Sequence, residues 1–250
     1  MKKKYILTDK TKVVNNHILY RIQAVKDFRK VKKFDFGGWV EKERNLSHEG
    51  DCWVGDEAMV YDNAVVEDDA RVFDYAEVYD NAKVNECAEV YDNVQIYENT
   101  HIYGDAKVYE QAHIYGYTKV YDNAHIYSNA QIYDNAEIYG NAQVYDDAKV
   151  YGNADVCGEA IIFEDAKVYG NSQIYDNALI HGDAKIYGSA HIYGNAEVYG
   201  KAEIYDKTEI YGETNVYGFA HVYDFAEISA CIDIDGKAEI HGNTIITIQL

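Results

Sequence analysis

Ala76-Glu77-Val78-Tyr79-Asp80-Asn81 is one clean copy of a unit that recurs along most of this 250-residue chain. From Val54 to Ile246 every sixth residue is valine or isoleucine, thirty-three times in succession. The residue two places earlier is small in all but two cases, Val94 and Ile232, and is alanine in twenty-four of the thirty-three, while the residue after is tyrosine in twenty-two. A strict period of six describes one short structural unit copied along an axis, rather than a globular core assembled from distant segments.

Numbered from its small residue, the hexad is mostly apolar at positions 1 and 3 and most often carries Glu, Lys, Gln or His at position 2. That in-out-in alternation has the period of two that a strand requires. Valine, isoleucine and tyrosine also fit a pleated surface. Position 5 is Asp, Gly or Glu and position 6 mostly Asn or Asp. Gly and Asn tolerate the positive φ that a type II turn needs at its third residue. The pattern therefore predicts a four-residue strand and a corner, repeated into a coil.

Every third hexad from Tyr61 gives Tyr79, Tyr97, Tyr115, Tyr133, Tyr151, Tyr169, Tyr187, Tyr205 and Tyr223, ended by His241. Of the other two registers, one is interrupted by Phe163, His181 and Asp235 and the other by Cys157 and Ser229. Distinct behaviour of three registers predicts three faces and eighteen residues per coil. Eleven such coils at the inter-strand spacing of ~4.8 Å would form a rod roughly 53 Å long.

With Ile/Val followed after three residues by Ala/Ser/Thr, residues 52–249 resemble the hexapeptide-repeat superfamily. The resemblance implies an all-β fold, a single-stranded left-handed parallel β-helix of about eleven triangular coils at 52–250. The handedness rests on the resemblance alone, since crossover statistics favour the right-handed sense. One departure is the tyrosine after the aliphatic, where members of the superfamily often carry Gly, Ala, Glu or Asp. Residues 1–51 lack the hexad. There His17-Ile18-Leu19-Tyr20-Arg21-Ile22-Gln23-Ala24-Val25 reads as a strand and Gly37-Gly38-Trp39-Val40 as a turn into another. Stacked coils need their first edge covered, so this stretch is expected to be a β-rich cap. Its Gly37–Val40 and Gly50-Asp51-Cys52-Trp53 segments resemble the N-terminus of a bacterial and phage subset labelled as transferases.

That resemblance implies acyl transfer, with a histidine base, a trimeric cleft and loops thrown out between hexads. No loop interrupts the hexads here, and the pattern supplies no pocket for a histidine base or partner to orient it. No catalytic residue is assigned, and an acyltransferase is the alternative reading. γ-Class carbonic anhydrases share the fold and hold zinc through three histidines. In this chain His101 shares a face with His191 and His113 with His221, while His125 is alone. Members of each pair are five or six coils apart, roughly 24–29 Å, too far to share a metal. His181 and His241 occupy tyrosine positions in different registers. No metal site and no cofactor are expected.

The net charge of −20 is unevenly shared. Residues 1–51 hold thirteen Lys/Arg and seven Asp/Glu, residues 52–250 ten and thirty-six. A basic head thus precedes an acidic rod whose charge density approaches that of duplex DNA, about one per 1.7 Å. Cys52, Cys87, Cys157 and Cys231 lie far apart without metal spacing, only Cys52 at an inward position. With no signal-peptide pattern and no apolar run of membrane length, a cytoplasmic location is expected.

Tyrosines stacked at coil pitch form ladders, and the candidate partner-binding strip is Tyr97, Tyr115, Tyr133, Tyr151, Tyr169, Tyr187 and Tyr205. Direct nucleic-acid binding is not expected, because single-strand binders pair aromatics with basic grooves. The leading expectation is a non-catalytic scaffold or binding protein for a protein partner, in its sharpest form a nucleic-acid mimic that inhibits a basic protein. Lys149, Lys167 and Lys185 stack on one face, with turn carboxylates expected to neutralise them. Ile161, Phe163 and Leu179 form an outward apolar patch and a candidate contact site. The stretch Thr244–Leu250, with Ile245, Ile246, Ile248 and Leu250, reads as an open-edged apolar strand. Pairing of two rods through these C-terminal coils would give a homodimer.

Overall fold

The computed structural model describes residues 3–247, and its described residues form strands, turns and one 3-10 turn at Glu43–Asn45. They cluster into two compact units, Met1–Asn123 and Ala124–Leu250.

The first unit begins with a hairpin of β1 (Tyr5–Val14) and β2 (His17–Ala24), paired antiparallel from Tyr5↔Ala24 to Val14↔His17. It turns at Asn15 and Asn16, with φ of 48° and 70°. Both central residues of such a two-residue turn need positive φ, which asparagine tolerates. The sequence reading found β2 but not β1. Next, β3 (Phe36–Val40) pairs antiparallel with β2 on one edge and parallel with Met59–Val60 on the other. It is the strand on which hairpin gives way to coil.

The expected turn at Gly37-Gly38 is therefore a strand. A Cβ at Gly37 would sit 2.4 Å from Trp53 Cζ2 and one at Gly38 2.5 Å from the Ala58 carbonyl oxygen. These glycines let the cap backbone lie against the first coil. Beneath it Lys4 is fully buried, its Nζ donating to the Glu49 and Gly50 carbonyls at 3.3 Å and to Cys52 Sγ at 3.1 Å. The Tyr5 hydroxyl lies 2.7 Å from the Glu43 carbonyl and 2.8 Å from that of Leu46.

The coils of the first unit have the three walls that the registers predict. Met59–Val60, Glu77–Val78, Gln95–Ile96 and His113–Ile114 pair in parallel, each with the strand eighteen residues on. Trp53–Val54 opens a second wall with Arg71–Val72, and Val65–Val66 a third with Lys83–Val84. In the second unit the same register links Gln131–Ile132 to Lys149–Val150, His125–Ile126 to Gln143–Val144, and Glu137–Ile138 to Asp155–Val156. Each unit is thus a parallel β-solenoid with eighteen-residue coils.

Most coil strands span two residues, positions 2 and 3, rather than four. Backbone bonding nevertheless continues around the corner. Val65 N donates to Ala82 O, Tyr61 N to Val78 O and Asn63 N to Asp80 O, so positions 2, 4 and 6 all reach the next coil. Position 1 closes the turn on position 4, as Ala64 N does on Tyr61 O at 3.1 Å. Val60, Ala64, Val66 and their counterparts as far as Ile228 are buried. Buried hydroxyls at position 1 find a local acceptor, as when Thr118 Oγ1 donates to Tyr115 O at 2.6 Å.

Positive φ falls at position 5 in every hexad from Asp56 to Gly242 except at Ala230. The sequence reading gave this freedom to Gly and Asn; in the corners Asp and Glu take it as often as Gly. What compensates their cost in the left-handed region is visible at the site below.

Candidate functional site

Position 4 follows the buried aliphatic on the strand, so its side chain lies on the outer wall. In the first unit Tyr61, Tyr79, Tyr97 and Tyr115 stack with centroids 5.0–5.1 Å apart and rings within 6° of parallel. In the second, Tyr133, Tyr151, Tyr169, Tyr187, Tyr205 and Tyr223 stack at 4.7–5.0 Å, and His241 ends the column at 5.2 Å and 19°. These are offset stacks, within the separation aromatic pairs prefer. Every candidate strip residue from Tyr97 to Tyr205 is half-buried.

Phe163 and His181 do not interrupt their register. Tyr145, Phe163, His181 and Tyr199 form one column at 4.7–5.1 Å with rings within 11°. The stack needs flat rings, and phenylalanine and imidazole supply them as tyrosine does. Packing also desolvates the phenol of Tyr79 and raises its pKa to about 12.

The corner acids have a specific partner. Asp74 N donates to Asp56 Oδ2, Asp92 N to Asp74 Oδ2 and Glu110 N to Asp92 Oδ2, at 3.1–3.5 Å. The second unit repeats this at Gly152 N with Asp134 and Gly182 N with Glu164. The position 5 amide finds its acceptor in a side chain eighteen residues earlier. A charged acceptor strengthens that bond. The acidity thus has a structural origin, while the carboxylates stay outside in fixed rows. Position 6 adds amide ladders, such as Asn135–Asn153–Asn171 at 3.2 and 2.9 Å.

Ile161 pairs in register with Leu179 on one wall, both half-buried, beside Phe163 in its ring column. Ile245 and Ile246 lie in the strand Ile245–Thr247, which pairs with Glu227–Ser229, and Ile245 is 65% exposed. Ile248 and Leu250 lie outside the described residues. Lys149, Lys167 and Lys185 pair in register, and Lys185 Nζ reaches Glu203 at 2.6 Å. Glu203 holds position 2 of the next coil, so wall rather than corner acid neutralises Lys185. Cys52 is buried; Cys87 and Cys231 are exposed and Cys157 is half-buried.

Three features escaped the sequence reading. Asp155 has an oxygen buried without a hydrogen-bond partner, and burial raises its pKa. His17 lies between Glu41 and Asp62, each 3.5 Å from a different ring nitrogen. The three could group around a metal, but Glu41 Oε2 already accepts the Asp62 N–H at 2.8 Å. Carboxylates on opposite nitrogens fit a ring that bridges two acids better than ligands converging on one ion. Third, a cleft of about 690 Å³ opens between cap and first coils, lined among others by Phe36, Trp53, Gly55 and Phe73. Only the fold brings these four together.

Parallel coils of eighteen residues with aromatic columns outside define the class of structure. The profile of the YdcK beta-solenoid repeat matches residues 130–146. A stretch of 52 residues is 38% identical to a protein of Escherichia coli (strain K12) named uncharacterized acetyltransferase YdcK. That stretch covers 20% of this chain and 16% of the relative, so the match spans about a sixth of the relative's length. Repeat, relative and solenoid fit the hexapeptide-repeat superfamily, and the name of the relative is that of a transferase. No helix among the described residues is long and apolar enough to cross a membrane.

Proposed function

We propose that this protein is a non-catalytic binding protein that engages a basic protein partner through its outward aromatic columns and the rows of carboxylates beside them. The observation that carries this is the pairing of the two features. Stacked half-buried rings such as Tyr79, Tyr97 and Tyr115 are held rigid, and Asp80 and Glu98 stand at the corners beside them, the Asp80 carboxylate fixed by the Glu98 amide at 3.2 Å. Rigid tyrosines offer large contact area at small entropic cost, and ordered anions select for cations and exclude nucleic acid by repulsion.

The test is calorimetric titration with a lysine-rich DNA-binding protein, with duplex DNA as competitor and polylysine as control for charge alone. Salt-sensitive binding that DNA relieves, and that the triple change Tyr79→Ser, Tyr97→Ser and Tyr115→Ser weakens tenfold or more, supports the reading. Binding that matches polylysine and ignores the tyrosines overturns it. Acyl transfer is the second reading, favoured by the name of the relative. Saturable acetyl-CoA binding below millimolar would put it first.

A further inference from the structure

The ring column of the second wall in residues 1–123 starts one rung late. Trp53–Val54 pairs in register with Arg71–Val72, so Gly55 stands one coil before Phe73. Phe73 stacks on Tyr91 at 5.0 Å and 9°, and Tyr91 on Tyr109 at 5.0 Å and 3°. The rung before Phe73 has no ring.

The fold does not require glycine there. Gly55 lies outside the left-handed region that the corner glycines occupy. An added Cβ would make only ordinary contacts, 3.4 Å to Phe73 Cβ and 3.6 Å to Trp53 Cδ1. The contrast with Gly37, where a Cβ would meet Trp53 at 2.4 Å, is sharp. The missing side chain instead leaves room in the cleft of about 690 Å³ that Gly55, Phe73, Trp53 and Phe36 line. That size suits a small ligand. Trp53 is held edge-on to Phe28 at 5.3 Å and to Tyr5 at 6.5 Å, so this wall is already ordered.

The charges narrow the ligand further. Arg29 is taken by Asp51 at 3.5 Å and Asp69 at 2.8 Å, and Arg71 by Glu89. Lys30 is left as the lining cation with no ion pair among the described residues. Asp35 and Asp56 also line the cleft, so a polyanion would be repelled. We infer that the cleft binds a small planar aromatic molecule with a single anionic group, its ring on the vacant rung over Phe73 and its anion at Lys30. A chain of phosphates does not fit this charge pattern.

Calorimetry on the full chain with indole-3-acetate, indole, cyclohexylacetate and ATP tests this. Indole-3-acetate is expected to bind saturably below millimolar. Cyclohexylacetate, with the same charge but no π face, should be about two- to twelve-fold weaker, the range an aromatic stack is worth. Lys30→Gln should reduce indole-3-acetate to the affinity of indole, and ATP should not bind. Gly55→Tyr restores the ring and should abolish binding without lowering thermal stability. Should that variant misfold, Phe73→Leu should erase the preference for indole-3-acetate over cyclohexylacetate. No saturable binding of either indole, binding that survives Gly55→Tyr in a folded protein, or an aromatic preference that survives Phe73→Leu would overturn the inference.

Discussion

In the coils each side chain rests on its equivalent eighteen residues away, whereas in the cap each contact is made once. Tyr97 lies between Tyr79 and Tyr115, and Asp74 accepts from Asp92 as Asp56 accepts from Asp74. Lys4 on the Glu49 and Gly50 carbonyls, or Gly37 under Trp53, has no copy. The difference teaches where this fold can hold a cavity. A repeat fills each rung with the next, and the cleft of about 690 Å³ opens where that filling stops, at Gly55 beneath the cap.

The comparison can be broken most forcefully in the coil interior. Ile162 is fully buried, and Ile162→Ala is expected to cost about 2–5 kcal/mol, because coils above and below cannot close the void. Chemical denaturation would measure it. In the cap, Gly37→Leu should cost about 1–3 kcal/mol through overpacking against Trp53. Because it lifts the cover from the first coil, it should also bring concentration-dependent association by light scattering.

Alkaline titration sharpens the contrast more gently. Burial raises the phenol of Tyr79 to about 12 and also raises that of Tyr61 beneath the cap. Between about 10, where an unfolded tyrosine ionises, and the folded value, the native state holds protons that the unfolded chain releases. Stability should therefore be complete below pH ~10 and decline as pH rises towards 12, seen as a falling thermal midpoint with rising phenolate absorbance. The smallest effect belongs to Gly152→Asp. Aspartate already occupies this corner at Asp134 and Asp206, and the new carboxylate could accept from the Gly170 amide as Asp134 does from Gly152. A Cβ there would meet the Gly170 nitrogen at 2.8 Å with φ at 73°, so a cost of about 1–2 kcal/mol is expected, offset in part by the new bond.

The legible part of the fold was the part that recurs. Val78 inward, Glu77 outward and Tyr79 on the wall follow from alternation, and the eighteen-residue coil followed from the run Tyr61 to Tyr223. Phe163 and His181 were misread as breaks because residue identity was counted where ring shape governs stacking. The acidic corners were visible as charge, but their bond to a position 5 amide depends on the offset between neighbouring coils. Nothing local in Tyr5–Val14 set it apart as a strand, since its pairing is with β2. The vacant rung was in plain view as Gly55, yet a glycine in one hexad has meaning only once Phe36 and Trp53 are known to stand around it.

By itself the sequence determined the coil: period, walls, and which residues face in or out. These follow from strand alternation and side-chain shape, which act between near neighbours and repeat thirty-three times. Only the tertiary structure decided how the cap seats on the first coil, which amides the corner acids satisfy and where a cleft remains. Those outcomes depend on groups brought together from distant, non-repeating positions, and no local periodicity carries that distance.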